Sequence, residues 1–297
     1  MHGKTRSANA PAITRPDKLL FPADGIRKGR LADYYALAMD WLLPEIADRP
    51  LSVVRCPEGI GGECFYQKHP SPGLERVARV EIAERSGERA QYLCVADAAG
   101  VMELVQFNAI EFHPWGAKAD DLEHADRLVF DFDPDPAVAW AGVIQAARRM
   151  RASLADAGLQ SFVRTTGGKG LHVVAPLAPA APWERVHAFA RAMAESLAAA
   201  EPGRYVATAA RAGRKGRIFI DWLRNTRGAT SVASFSVRAR PGAPVAMPLR
   251  WAELGRVASG HAYHLCNAPA RLRRLRSHPW GDYAGLRQGL PERVPRG

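Results

Sequence analysis

The sequence predicts an α+β fold, with mixed or antiparallel sheets flanked by helices, rather than a doubly wound parallel sheet. Two observations predict it: strand-like and helix-like runs alternate irregularly, and short strands joined by tight Pro/Gly turns recur as hairpins. After a polar start expected to be flexible, residues 31–46 (LADYYALAMDWLLPEI) place Leu31, Tyr34, Tyr35, Ala38, Trp41 and Leu42 at helical spacing, with Pro44 near the end. Four β-rich runs follow, LSVVRC, ECFYQKH, RVARVEIAE and QYLCVAD, separated by turns such as PEGIGG and PSPG. A helical or mixed stretch then ends at EFHPWG.

The strand RLVFDFDPDP leads into a helix expected over about 137–157, in which Trp140, Val143, Ile144, Ala147, Met150 and Leu154 share a face and Gly158 is the stop. Asp135 reads as its N-cap and Pro136 as its first residue. SFVRT and LHVVAPL form a hairpin through TGGKG, and Trp183 to Ala200 is helical. RIFIDWL and TSVASFSVRA are read as strands, and the Arg-rich tail from Arg271 to Leu290 as helical at its start and end.

The length of 297 residues suits one large domain, with lobes at 1–125 and 126–297. With 47% hydrophobic and 24% charged residues the chain is an ordinary globular sequence, and no segment approaches the roughly 18–20 apolar residues of a membrane span. The polar start lacks a secretory apolar region, which predicts the cytoplasm. Cys56, Cys64, Cys94 and Cys266 show no CxxC spacing, so reduced thiols and no disulfides are expected. A net charge of +11 favours polyanionic partners, of which nucleic acid is the commonest in a cytoplasmic protein.

Asp131 and Asp133 interrupt an apolar strand two residues apart, so both point to one face, roughly 6.6–7 Å apart along the backbone. Such a pair is costly without a partner, and a divalent cation such as Mg²⁺ or Mn²⁺ suits its all-oxygen character; a strand that simply ends in an acidic turn is the alternative. Asp221 interrupts RIFIDWL in the same way, with a salt bridge to Arg217 or Arg224 as the structural alternative. Three carboxylates can hold two cations for phosphoryl or nucleotidyl transfer. Residues 165–172 (TTGGKGLH) offer a glycine turn, a hydroxyl, Lys169 and His172, the ingredients of an anion site, though with neither Walker nor dinucleotide-fingerprint spacing. In ECFYQKH, alternation along a strand would leave at most one of Phe65 and Tyr66 as a stacking platform. His261, His264 and Cys266 lack zinc spacing and read as packing.

In this order, PDKLLFP, GIRKGRLADYY, RCPEGIGGECFYQKH, EFHPWG, LVFDFDPDP, TTGGKGLHV, IFIDWLRNTRGATSVASFSVRARPGAPV and PLRWAEL make nearly the whole chain resemble the polymerase domain of bacterial DNA ligase D, in the archaeo-eukaryotic primase superfamily. The resemblance implies a primase-polymerase-like fold in one catalytic domain, without a ligase or nuclease region. It implies that Asp131, Asp133 and Asp221 hold two catalytic cations, Mn²⁺ or Mg²⁺, and that Thr166, His172 and Lys169 bind the nucleotide triphosphate with His113, Arg224 and Arg238. Lys18 and Lys28 match lysines that grip a 5′-phosphate, and Phe65 and Tyr66 an aromatic pair at the template. The family usually has Ser at Thr166 and DLD where this chain reads DFD; both departures keep the functional group.

The implied activity is template-directed nucleotidyl transfer at gaps and broken ends, with ribonucleotides preferred. The implied partners are DNA, nucleoside triphosphates, Ku and a separate ATP-dependent ligase, for a nucleoid-associated monomer with no membrane contact. Three other readings make distinct predictions. A stand-alone primase-polymerase would start strands without a primer, a DxD phosphohydrolase would release phosphate from small monoesters, and an inactive DNA-end binding module would do neither.

Overall fold

The computed structural model describes residues 12–84 and 86–292; the start expected to be flexible, residues 1–11, lies outside them. A short hairpin of β1 (Leu19–Phe21) and β2 (Ile26–Arg27) leads directly into α1 (Lys28–Ile46). Leu31, Tyr34, Tyr35, Ala38, Leu42 and Ile46 recur at three- and four-residue spacing and are buried, which is why this segment is a core helix. Its last turn accepts Pro44, and the Ala47 N–H closes the helix on Leu43.

A first antiparallel sheet follows, of β3 (Leu51–Arg55), β4 (Phe65–Gln67), β5 (Ala78–Ala83), β6 (Arg89–Cys94) and β7 (Ala109–Pro114), in the order β4-β3-β6-β5 with β7 also paired to β3. Between β6 and β7 lies α2 (Ala98–Gln106), whose N-terminus is capped by the Asp97 carboxylate accepting from the Gly100 N–H at 2.9 Å.

The second sheet contains β8 (His124–Pro134), β9 (Phe162–Thr165), β10 (Leu171–Pro182), β11 (Tyr205–Val206), β12 (Ile218–Asp221) and β13 (Pro248–Leu249). Its order is β11-β12-β8-β10-β9-β13, antiparallel except for the β11–β12 pair. Packed against it are α3 (Trp140–Asp156) and α4 (Trp183–Ala200), and α5 (Ala268–Arg274) docks near α1. Alternation along β8 explains the two faces: Leu128, Phe130 and Phe132 are fully buried in the main core, whereas Asp131 and Asp133 point the other way. One apolar core, running from Leu20 to Leu272, joins both sheets.

Four expectations are corrected. Helix α3 begins at Trp140 rather than near 137, because Asp135 caps a turn instead: its Oδ1 accepts from the Ala137 N–H at 3.0 Å and its carbonyl from Val138. TSVASFSVRA forms no strand, since Phe235 takes φ +65° and breaks the extended run. Its backbone is satisfied by side chains and loop backbone together: the Tyr34 hydroxyl donates to Phe235 O at 2.8 Å, Val237 N–H donates to the Tyr35 hydroxyl at 2.9 Å, and Ala233 N–H donates to Phe112 O at 2.9 Å. The Arg-rich tail is helical at its start, in α5, but ends irregularly after a 3₁₀ turn at Gly281–Ala284. Finally, Cys56 and Cys64 form a disulfide. Arg55 and Phe65 are opposite one another in the β3–β4 hairpin, so the cysteines occupy the next position outward on each arm and face each other across the PEGIGG turn. Cys94 and Cys266 are free thiols, as expected.

Candidate active site

The register of the second sheet builds one row of chemistry across four strands. Asp221 on β12 lies opposite Asp131 on β8, Asp131 lies opposite His172 on β10, and His172 lies opposite Arg164 on β9. Directly opposed residues project to the same face, so the row converges by sheet geometry alone. Asp133, two residues along β8, joins that face. The glycine turn 166–170 closes the β9–β10 hairpin beside it, and the resulting cleft of about 520 Å³ is lined by Asp131, Asp133, Thr166, Lys169, His172, Arg224, Arg238, His113 and Tyr66, with Arg240, Thr230 and Ser231.

Each of the three carboxylates already has a polar partner, an imidazole for Asp131 and arginines for the other two. His172 Nε2 is 3.4 Å from Asp131 Oδ2, Arg224 Nε is 3.1 Å from Asp221 Oδ2, and Arg214 is 3.5 Å from Asp133. Burial favours the neutral acid at Asp131, but His172, Arg224 and Arg238 outweigh it and hold that carboxyl below its ordinary range. At Asp133 and Asp221 burial wins, helped by the nearby Asp131 charge, and both are pushed up. Two of the three carboxylates are thus short of positive charge. Among the described residues no three acidic or imidazole groups close into a ready-made cation cage. The donor set nevertheless fits hard divalent ions: three carboxylates on one face of adjacent strands, held apart by arginines on open ends.

The glycine turn is tied by its own atoms. Thr166 Oγ1 donates to Gly170 O at 3.2 Å and accepts from the Gly168 N–H at 3.2 Å, while Gly167 N–H donates to Gly260 O at 2.9 Å. Lys169 at its tip is exposed. The Arg238 guanidinium donates to Thr166 O at 2.6 Å and to Glu111 Oε2 at 2.7 Å. Glu111 also meets His113 Nε2 at 2.7 Å and accepts from the Ala239 N–H at 2.7 Å, so one carboxylate orients both the histidine and the arginine of this wall. Burial opposes its ionisation, but His113, Arg238 and the Ala239 N–H overcome burial and bring Glu111 down to about 2. Its stabilisation is therefore complete above the ordinary carboxylate range and lost as pH falls through about 2. Glu111→Gln should cost on the order of 3 kcal/mol at neutral pH, with the gap from the parent narrowing as acid is added. Melting temperatures of both proteins from pH 7 to pH 3 check this; a pH-independent gap contradicts it.

At the mouth of the cleft Phe65 and Tyr66 are both exposed, at 40% and 66%, which corrects the expectation that one would be core. β4 is the edge strand of its sheet, and of its three residues only Gln67 is buried. Tyr66 packs edge-on against the His113 ring at 5.5 Å, and the Arg55 guanidinium lies 5.6 Å from the Phe65 ring. The two lysines sit apart from the row. Lys18 Nζ pairs with Glu58 at 3.1 Å, while Lys28 is buried and donates to Thr14 O, Gln106 O and Gln106 Oε1 at 3.0, 2.7 and 2.9 Å. Burial, with Lys18 and Arg15 nearby, pulls Lys28 down to about 8. All three of its hydrogens are occupied, so it is not the free surface cation its sequence position suggests. His261 meets Gly168 O at 3.3 Å and His264 accepts from the Cys266 N–H at 3.3 Å.

Comparison with known proteins decides the family. The profile described as "LigD, primase-polymerase domain" matches residues 27–280. The chain belongs to the LigD primase-polymerase family. It is 39% identical over 300 residues to the multifunctional non-homologous end joining protein LigD of Pseudomonas aeruginosa, covering 99% of this chain and 35% of that protein. The LigD of Mycolicibacterium smegmatis is 33% identical over 82% of this chain, which covers 32% of it. The chain thus spans about a third of the length of these relatives. Among solved structures, the polymerase domain of Mycobacterium tuberculosis ligase D in complex with DNA superposes with a TM-score of 0.83 at 31% identity, covering 89% of this chain and 94% of that one. As a LigD primase-polymerase the chain is a nucleotidyltransferase by class, and no helix among its described residues is long and apolar enough to cross a membrane.

Sequence reasoning missed Glu111, Arg164, Arg214 and Arg240. Glu111 and Arg164 carried the same signal as the aspartates, a charge inside a strand otherwise buried throughout. Arg214 ends a 3₁₀ turn and Arg240 lies on a loop of an arginine-rich chain, and neither carried any.

Proposed function

We propose that this LigD primase-polymerase extends a primer strand on a DNA template, filling gaps and extending ends at double-strand breaks in non-homologous end joining, with ribonucleotides as preferred substrates. The observation that carries the reading is the cross-strand row, which sets Asp221 directly opposite Asp131 and brings Asp131 and Asp133 into one cleft with Lys169 of the glycine turn. The continuous core supports treating the described residues as one catalytic domain. The proposed partners are broken or gapped DNA and nucleoside triphosphates, with Ku and an ATP-dependent ligase in the pathway.

Asp131, Asp133 and Asp221 are the proposed holders of two Mn²⁺ or Mg²⁺ ions. When bound, such ions make a primer 3′-hydroxyl more acidic and screen the triphosphate. The chain's own groups do the rest. Lys169, Arg224 and Arg238 face the side on which the triphosphate would lie and offset the charge that grows on departing pyrophosphate. His172 and the Thr166-tied turn orient the phosphates, His113 holds the wall against Tyr66, and the exposed Phe65 and Tyr66 offer stacking surfaces to template bases. Primer extension on gapped, 5′-phosphorylated DNA, with ribo- and deoxynucleotides and with each metal, tests the reading. Absence of templated incorporation under every combination defeats it.

Lys18, with Lys28 behind it, is the proposed reader of a downstream 5′-phosphate, whose extra negative charge distinguishes a gap from continuous backbone. Lys28 loses its proton as pH rises through about 8, and a terminal phosphate gains its second charge only above about 6, so the preference for 5′-phosphorylated over 5′-hydroxyl gaps should be greatest near neutral pH and decline as pH rises through about 8. Lys18→Ala should reduce the same preference while sparing the unphosphorylated substrate. Paired binding titrations at matched salt give both answers, and equal weakening on the two substrates would reduce the lysines to general electrostatics.

A further inference from the structure

Arg164 is the one charge of the site row that the chemistry proposed above leaves without a task. It is 1% exposed, the largest side chain buried so completely, and it sits on β9 directly opposite His172. Burying a guanidinium costs several kcal/mol unless its geometry and hydrogen bonds are very good, so its contacts indicate what it serves. One terminal nitrogen is bound by the Glu45 carboxylate of α1 and by Ser234 Oγ at 3.3 Å, the other reaches Ser231 Oγ at 3.3 Å, and the Trp280 ring covers the group at 5.7 Å. Glu45 is fixed in turn by the Ser234 N–H at 2.9 Å and by Arg127 at 3.8 Å. Arg164 Nε–H points at His172 Nδ1 from 3.1 Å. A guanidinium has donors only. Nδ1 must therefore accept, which places the ring hydrogen of His172 on Nε2, the nitrogen that faces Asp131 and the cleft.

We propose that Arg164 is a positioning residue of the active site: anchored by Glu45, it holds His172 in the Nε2–H tautomer and aims that hydrogen at the phosphates of a bound nucleotide. The inference rests on the reading of His172 as a triphosphate contact. The alternative tautomer would present a nitrogen lone pair to phosphate oxygens, acceptor against acceptor. An unheld ring would populate both. Arg164 touches no substrate itself; it acts through the imidazole, as an outer partner orients a metal-bound histidine.

The test reads the tautomer directly, by long-range ¹H–¹⁵N correlation spectra of ¹⁵N-histidine-labelled protein without nucleotide, alongside steady-state extension. The parent should show His172 as the Nε2–H form. Arg164→Lys, also donor-only, should retain it. Arg164→Met should mix the tautomers and raise the nucleotide KM on the order of tenfold to a hundredfold, with a smaller effect on kcat. Because that variant strands a buried carboxylate, Glu45→Gln combined with Arg164→Met removes both charges together and should keep the fold while still losing the tautomer. A folded double variant whose His172 spectrum matches the parent overturns the proposal. His172→Ala separates the two layers: an unchanged nucleotide KM there defeats the triphosphate reading, whatever the spectra of the Arg164 variants show about the tautomer.

Discussion

Asp131→Ala and Asp133→Ala should each lower primer extension by more than roughly a hundredfold while leaving DNA affinity within a few-fold of the parent, the loss expected when a preorganised charge-stabilising group is removed. The two substitutions should nevertheless differ in what they do to the fold. The Asp133 side chain is 57% exposed and meets only Arg214 at 3.5 Å, so its removal costs little stability. Asp131 sits at the centre of the row, between His172 and Asp221, with Arg224 4.0 Å away, and its loss leaves buried polar groups facing nothing. Asp131→Asn keeps the shape and the hydrogen-bonding capacity while removing the charge, and so isolates the chemical role. Single-turnover extension, DNA binding and melting temperature on all three variants give the comparison. Near-normal extension by Asp133→Ala or Asp131→Asn would remove the carboxylates from the chemistry.

The aspartates were legible because strand positions are read in pairs, and a carboxylate in an apolar alternation has no structural reason of its own. The same rule, applied without regard to sign, would have exposed Glu111 in AIEFHP and Arg164 in SFVRT, each inside a strand buried at every position. What no local pattern carried was register. Whether Asp221 faces Asp131 or misses it depends on how β12 pairs with β8 across some ninety intervening residues, and a one-residue slip would turn every side chain to the other face. The strand expected over TSVASFSVRA failed for a related reason: its β-favouring composition is overridden by Phe235 at positive φ, and its backbone pairs piecemeal with tyrosine hydroxyls of α1 and with loop backbone instead of with one continuous strand. Lys28 looked like surface because its neighbours in sequence are polar. Its acceptors, Thr14 and Gln106, come from segments far from it in the chain. The Cys56–Cys64 bridge was within reach, since the two residues flank a turn already read as joining two strands; spacing within the chain was considered without the hairpin geometry.

Gly170→Ala should be the most damaging single methyl addition in the site, because of where β10 begins. A Cβ on Gly170 would stand 2.0 Å from the Phe132 carbonyl oxygen and 3.1 Å from its carbon, with Asp131 Oδ1 at 3.7 Å. The two Phe132 atoms belong to the backbone of β8, so no flexible side chain can swing aside to relieve the close approach. Relief requires β8 to move between its two aspartates, or the glycine turn to lift away from them. Either movement separates Asp131 and Asp133 from Lys169 and from the Thr166 hydroxyl that ties the turn to Gly170 O. Overpacking of this kind costs about 3 kcal/mol or more when backbone must shift, which for a chain of this size lowers the melting temperature by about 5 °C or more. Extension should fall with it, and the nucleotide KM should rise even in protein that remains folded at the assay temperature, because the turn and the carboxylates no longer share one geometry. Gly203→Ala is the matched control, since a Cβ there meets nothing within 4 Å. Thermal melts and nucleotide titrations of the two variants, side by side, decide the matter: a Gly170→Ala protein that melts and binds nucleotide like the Gly203→Ala control would mean that the turn does not approach β8 so closely, and the link drawn between the glycine turn and the carboxylate row would have to be abandoned.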